Sequence, residues 1–455
     1  MAASGAATRL VAVAALAVLA AAPGPAGARP DPVVAALVPV SAQPLGPAQP
    51  TEQRTHCARP APLTADPAAE PAGHRLLDIA QAWRFSRGAG VTVAVIDTGV
   101  TPHQRLNRPT AGGDYVSTGD GLTDCDLHGT LVAGIIAARS SSTDGFAGVA
   151  PETRLIAIRQ SSGAYEARDR RGSAASMGAG YGPLSTLAKA IVRATELGAR
   201  VINISEAACL PAGTAVDDDA VASALAFARS RDAVVVAAAG NLSDVGGCRE
   251  QNPLAAASAR DAWNQVRSTA SPARFGREIL TVGAVDATTA APAPFSLAGP
   301  WVTVAAPGTE VVSVAGGRLV DALDGEDGPR RLAGTSYATA YVSGVVALVR
   351  ARFPELSADD VIDRIVRTAR GGPDQDAATG YGVVDPVAAL TADLPNAAAA
   401  PPPTRLAAPH PDRPDHRAAI TVACTLAGGA AVLVAAFASK RRRRTPAPEH
   451  GSGSS

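Results

Sequence analysis

The chain has no excess of either charge. Forty-one basic residues meet 41 acidic ones, and charged residues make up only 18% of the sequence. That balance argues against a nucleic-acid partner, which would call for a basic face. Lysine occurs twice, at Lys189 and Lys440, while alanine is abundant; this is a compositional bias that carries no function. No C-x-x-C pair occurs around which a zinc site could be built, and no internal repeat is visible. No cofactor is therefore expected. Apolar material is plentiful: hydrophobic residues make up 47% of 455 positions, enough for a sizeable core in one large domain or two ordinary ones.

Two segments address the protein. Residues 1–28 carry Arg9, an apolar stretch Leu10–Ala22 and Ala26-Gly27-Ala28, the pattern of a cleaved secretory signal; an uncleaved anchor is the alternative. Residues 418–439 run 22 positions without a charge, roughly 33 Å as a helix and sufficient for a bilayer core. Lys440–Arg444 follows at once, which puts residues 440–455 in the cytoplasm and the body outside. Setting those five charges aside, 41 basic residues become 36 against 41 acidic. Cys424 falls in the membrane segment. Cys57, Cys125, Cys209 and Cys248 remain, an even number suited to an oxidising compartment, with three possible pairings.

Between these segments, residues 29–70 are rich in Pro and Ala and read as an extended N-terminal arm, and residues 393–417 as a semi-stiff linker. The body, 71–392, alternates short β-branched runs with helical patterns. Strands are predicted at Val91–Ile96, Leu155–Ile158, Val201–Ile204, Val234–Ala238, Ile279–Val285 and Val302–Ala305. Helices are predicted at Leu76–Phe85, His128–Ala138, Ser185–Leu197, Val216–Ala228 and Ala358–Thr368, with a further one after Gly334. The expected fold class is α/β, a mostly parallel central sheet with helices on both faces. Ser161–Gly182 and Leu242–Arg277 break the pattern and read as long loops.

Four short motifs fall at strand ends and helix starts, where an open parallel sheet gathers reactive groups. Asp97 ends V-A-V-I-D, His128 opens H-G-T-L-V-A-G, Asn241 ends V-V-V-A-A-A-G-N and Ser336 opens the helix after Gly334 in G-T-S-Y-A. Each has an ordinary reading as a turn or cap residue. Together they supply a nucleophile, a base, an orienting carboxylate and an amide donor. Ser336 needs a base to become nucleophilic. His128 can take its proton and return it to the leaving amine. Asp97 would fix the imidazole tautomer. The Asn241 amide, with the Ser336 backbone N–H at a helix N-terminus, would receive the oxyanion.

The order Asp, His, Ser and the stretches Val93–Val100, His128–Gly134, Ala237–Asn241 and Gly334–Ala338 resemble the subtilases, over about Leu76 to Ala392. The added proline-rich linker and C-terminal membrane helix, with Gln251-Asn252-Pro253 and the cysteine placement, are similar to the mycosins, membrane-anchored proteases of actinobacterial type VII secretion. The resemblance implies an extracytoplasmic endopeptidase associated with the secretion membrane complex, cleaving exported protein or peptide substrates, and a non-catalytic role in stabilising that complex. Subtilases also hold calcium through backbone oxygens, which leave little trace in sequence. Two departures stand out. Tyr337 follows the nucleophile where many subtilases have methionine, and Ser205 is followed by Glu206-Ala207-Ala208-Cys209. Glu206 reads first as a solvated loop charge and second as a selector of a basic substrate side chain. The favoured cysteine pairing is Cys57–Cys125, which would clamp the arm beside the catalytic edge, with Cys209–Cys248 joining adjacent strand ends.

Overall fold

The computed structural model describes residues 40–394, apart from 170–175, 177–179, 244–247, 255–258, 277 and 373. The expected signal at 1–28, most of the linker 393–417, the membrane span 418–439 and the tail 440–455 lie outside the described residues. Among the described residues, no helix is long and apolar enough to cross a membrane.

Eleven strands concern us here: β1 (Thr51–Gln53), β2 (Thr92–Asp97), β3 (Thr110–Asp114), β4 (Arg154–Arg159), β5 (Tyr165–Ala167), β6 (Val201–Ile204), β7 (Ala208–Pro211), β8 (Val234–Ala238), β9 (Ser268–Ser271), β10 (Leu280–Val285) and β11 (Val304–Pro307). Seven of them form one sheet in the order β11-β10-β8-β6-β2-β4-β3, every pair parallel. The chain enters the sheet at the interior strand β2, fills one side with β4 and β3, then crosses to β6. The topological switch therefore flanks β2, and Asp97 stands at its carboxyl end, where such sheets carry their sites.

Parallel strands covered on both faces read as continuous apolar runs, and β2 is of this kind. Val93 and Val95 face one core, and Ala94 and Ile96 the other. The first core is closed by α3 (His128–Ala137) and α7 (Thr335–Arg352), following α1 (Ala72–Leu77) and α2 (Ile79–Ala82) in the chain. The second is closed by α4 (Leu184–Glu196) and α5 (Asp219–Ser230). Nearly every residue of α3 and α7 is buried, so neither has a solvent face. The remaining helices are α6 (Ala259–Asn264), α8 (Ala358–Thr368) and α9 (Pro386–Thr391).

The predicted elements need several corrections. The single helix over Leu76–Phe85 is two short ones, because Asp78 takes a left-handed φ of 51° between α1 and α2. The helix expected from Val216 begins at Asp219, since buried Asp218 accepts from Ser271 Oγ and Arg274 and holds the chain away from the helix axis. The strand at Val302–Ala305 lies two residues later, at β11. The edge strand β3, sequence T-A-G-G-D, shows no apolar period and exists by pairing with β4. Neither expected loop is wholly irregular. Ser161–Gly182 contains β5, and Leu242–Arg277 contains α6 and β9.

The arm follows the body from residue 40. Strand β1 pairs antiparallel with β5, Ala58 N donates to Cys125 O at 2.8 Å, and Tyr115 Oη donates to Ala42 O at 2.9 Å. Disulfides join Cys57 to Cys125 and Cys209 to Cys248.

Candidate active site

Asp97 is fully buried at the end of β2. Its Oδ1 accepts from His128 Nδ1 at 2.7 Å and from Thr98 N at 2.7 Å. The other oxygen, Oδ2, is buried without a hydrogen-bond partner. The first residue of α3 is His128, and the free N–H groups at that helix start are satisfied locally. Gly129 N donates to Thr98 Oγ1 at 2.9 Å, and Thr130 N to Asp124 Oδ2 at 2.8 Å. Thr98 Oγ1 in turn donates to Asp124 Oδ1 at 2.9 Å. Asp124 and Thr98 thus cap the helix and fix its start against β2.

Ser336 is the second residue of α7, and its backbone is braced from below. Its carbonyl accepts from Ser205 Oγ at 2.9 Å, Asn203 Nδ2 donates to Ser205 Oγ at 2.8 Å, and Ser343 Oγ donates to Asn203 Oδ1 at 2.9 Å. Asn241 lies three residues past β8. Its Oδ1 accepts from Thr335 N at 3.0 Å and Thr335 Oγ1 at 3.1 Å, which orients the amide and leaves Nδ2 as a donor. A Cβ on Gly334 would meet Ser336 Oγ at 3.0 Å and Asn241 Nδ2 at 3.6 Å. The hydroxyl and the amide donor therefore border one small space, kept open by glycine.

The four residues named from sequence thus come to one edge of the sheet. Asp97 and His128 are hydrogen-bonded. Among the described residues, no hydrogen bond joins His128 to Ser336; the imidazole centroid instead lies 5.5 Å from the ring of Tyr337, next to the serine. Sequence reading missed Thr98, Asp124, Asn203 and Ser343. Only Asp124 left a usable signal, an acidic residue just ahead of a helix start.

Glu206 is corrected. It is no solvated loop charge: its side chain is 15% exposed, with Oε1 3.8 Å from His128 Nδ1. Oxygen or nitrogen atoms of Asp97, His128 and Glu206 all lie within 4.8 Å of one another, the one group among the described residues close enough to hold a metal ion. The short Asp97–His128 bond is already that of an oriented imidazole. Burial opposes charge on His128, but Asp97, with Glu206 and Asp124 behind it, pushes the pKa up to about 10. Burial raises Glu206 to about 7 against the pull of His128, and burial raises Asp124 to about 6.

A parallel sheet with an Asp–His pair at the switch point, and a serine and an asparagine amide at the same edge, defines a subtilisin-like serine protease. The comparisons agree. The "Subtilase family" model matches residues 88–382. Mycosin-4 of Mycobacterium tuberculosis is 44% identical, covering 96% of this chain and 97% of its own. The solved MycP3 protease from the type VII (ESX-3) secretion system is 46% identical with a TM-score of 0.74, covering 80% of this chain and 100% of its own. A chain of the intact ESX-5 inner membrane complex is 42% identical with a TM-score of 0.73, covering 91% of this chain and 100% of its own. The chain belongs to the subtilases and, among them, to the mycosins.

Proposed function

We propose that this protein is a membrane-anchored, extracytoplasmic serine endopeptidase of a type VII secretion system, cleaving exported proteins through Asp97, His128 and Ser336. The observation that carries the reading is the 2.7 Å bond from His128 Nδ1 to Asp97, beside a serine whose hydroxyl shares its space with the Asn241 amide. That bond leaves Nε2 as the basic nitrogen. His128 takes the Ser336 proton as Oγ attacks the scissile carbonyl, and later returns it to the leaving amine. Asn241 Nδ2 and the Ser336 backbone N–H receive the oxyanion. The missing His128–Ser336 hydrogen bond closes when substrate is seated, as catalytic bonds often do. In this reading 1–28 is a signal peptide, 29–70 an extension wrapping the 71–392 peptidase domain, 393–417 a linker, 418–439 the membrane helix and 440–455 a cytoplasmic tail.

Replacing Ser336 with alanine is expected to abolish both substrate cleavage and covalent labelling by a fluorophosphonate. Labelling that persists in Ser336→Ala sinks the assignment. The likeness to a chain of the ESX-5 inner membrane complex favours a second role, stabilising the secretion complex. The two separate in cells: a scaffold keeps secretion alive in Ser336→Ala and loses it on deletion of the chain.

A further inference from the structure

Glu206 is a carboxylate that the triad does not use. It follows Ser205, whose hydroxyl holds the Ser336 carbonyl, so it stands one residue from the support of the nucleophile. Among the described residues its one ion-pair contact is His128, at 3.8 Å and too long for a hydrogen bond, and none of their arginines or lysines lies within 4.0 Å. The Nδ1 proton of His128 is committed to Asp97. The charged groups acting on Glu206 are Asp97 at the end of β2, Asp126 in the loop before α3 and His128 itself, with the Tyr337 phenol from α7. Arg330 also acts on that phenol. Glu206 with two neighbouring carboxylates, Asp97 and Asp126, against one imidazole leaves an acidic excess, and a largely buried carboxylate without a firm cation is costly.

We propose that Glu206 is the acidic floor of a subsite for a lysine or arginine side chain of the substrate, within two residues of the scissile bond. This rests on the protease reading above. The side chain is buried enough for a strong charge pair and exposed enough to be touched. A substrate cation seated there also replaces His128 as the positive partner. With that partner supplied, His128 holds its proton less firmly, and only the neutral imidazole can act as base. The correct substrate therefore releases the base as it binds.

The test uses the full-length protein. Fluorophosphonate labelling of Ser336 is checked first, and failure to label overturns the reading beneath the proposal. Next, the wild type digests a peptide library, and matched peptides carrying Arg or Gln at the preferred position are compared. Expected is a kcat/KM for the Arg peptide about tenfold above that for the Gln peptide, with its acid limb at lower pH. In Glu206→Gln the ratio should fall toward one and the two pH profiles should coincide. A labelled wild type that cuts no library peptide, or cuts without regard to charge, overturns the subsite, whatever the variant does. So does a preference that survives in Glu206→Gln.

Discussion

The side chains that touch substrate in the proposed mechanism are few, and each is held by others that do not. Asn241 is the clearest case. Both bonds to its Oδ1 come from Thr335, so the amide cannot flip without losing them, and Nδ2 stays fixed beside Ser336. A donor set in advance acts on the oxyanion and little on the ground-state carbonyl. Asn241→Ala is expected to lower kcat about 10²–10³-fold, the loss known for the corresponding asparagine in subtilisin, with KM little changed. Steady-state kinetics on one peptide decides it; a rise in KM with kcat intact assigns Asn241 to substrate binding instead. The meeting of Asp97 with His128, and of Asn241 with Ser336, was legible because each of these residues sits in a short motif at a boundary between strand and helix. Their supports were not. Asn203 and Ser343 are 140 positions apart, and nothing in sequence links two ordinary polar residues at that distance. The burial of Glu206 was equally invisible, since local sequence around it reads as loop.

Among the elements, α3 decides whether the imidazole reaches Asp97. It lies so close to the turn after β2 that a Cβ on Gly129 would fall 2.1 Å from Gly99 O and 3.0 Å from Asp97 Cβ. Both obstacles belong to the site, and one is backbone. Gly129→Ala should push the helix off the strand, destabilise the fold by about 1–3 kcal/mol and slow fluorophosphonate labelling of Ser336. Ser357→Ala is the contrasting change. It removes the capping box of α8, where Ser357 accepts from Asp360 N, at a cost of about 1 kcal/mol, far from the imidazole. Equal labelling by both variants after correction for unfolded protein removes the special role of Gly129. The strands of the central sheet were legible almost to the residue at β6 and β8, because a fully buried strand must be apolar throughout. The edge strand β3 and the break at Asp78 were not, since pairing partners and a left-handed residue leave no apolar period.

For the molecule as a whole, the arm behaves as part of the fold. Asp321 is buried, and the arm supplies most of its partners: Thr64 N, Thr64 Oγ1 and Ala65 N, at 3.1, 2.6 and 3.0 Å, with Arg331 from the body. Removing the arm would strip a buried carboxylate of its donors, which is strongly unfavourable. The Cys57–Cys125 bridge closes a separation of 68 residues and ties the same arm three positions before His128. In the chain-entropy picture it contributes about 4 kcal/mol. The double change Cys57→Ser, Cys125→Ser should therefore lower the unfolding temperature and make the arm sensitive to added protease, while Ser336 labels at the wild-type rate. The expectation follows because the bridge restrains the unfolded chain, whereas the arm's hydrogen bonds to β5 and Asp321 remain in the folded one. Labelling that accelerates in the double variant instead makes the arm a restraint on the cleft. An unchanged unfolding temperature leaves the arm's hydrogen bonds, through β1, Ala42, Ala58, Thr64 and Ala65, as what holds it.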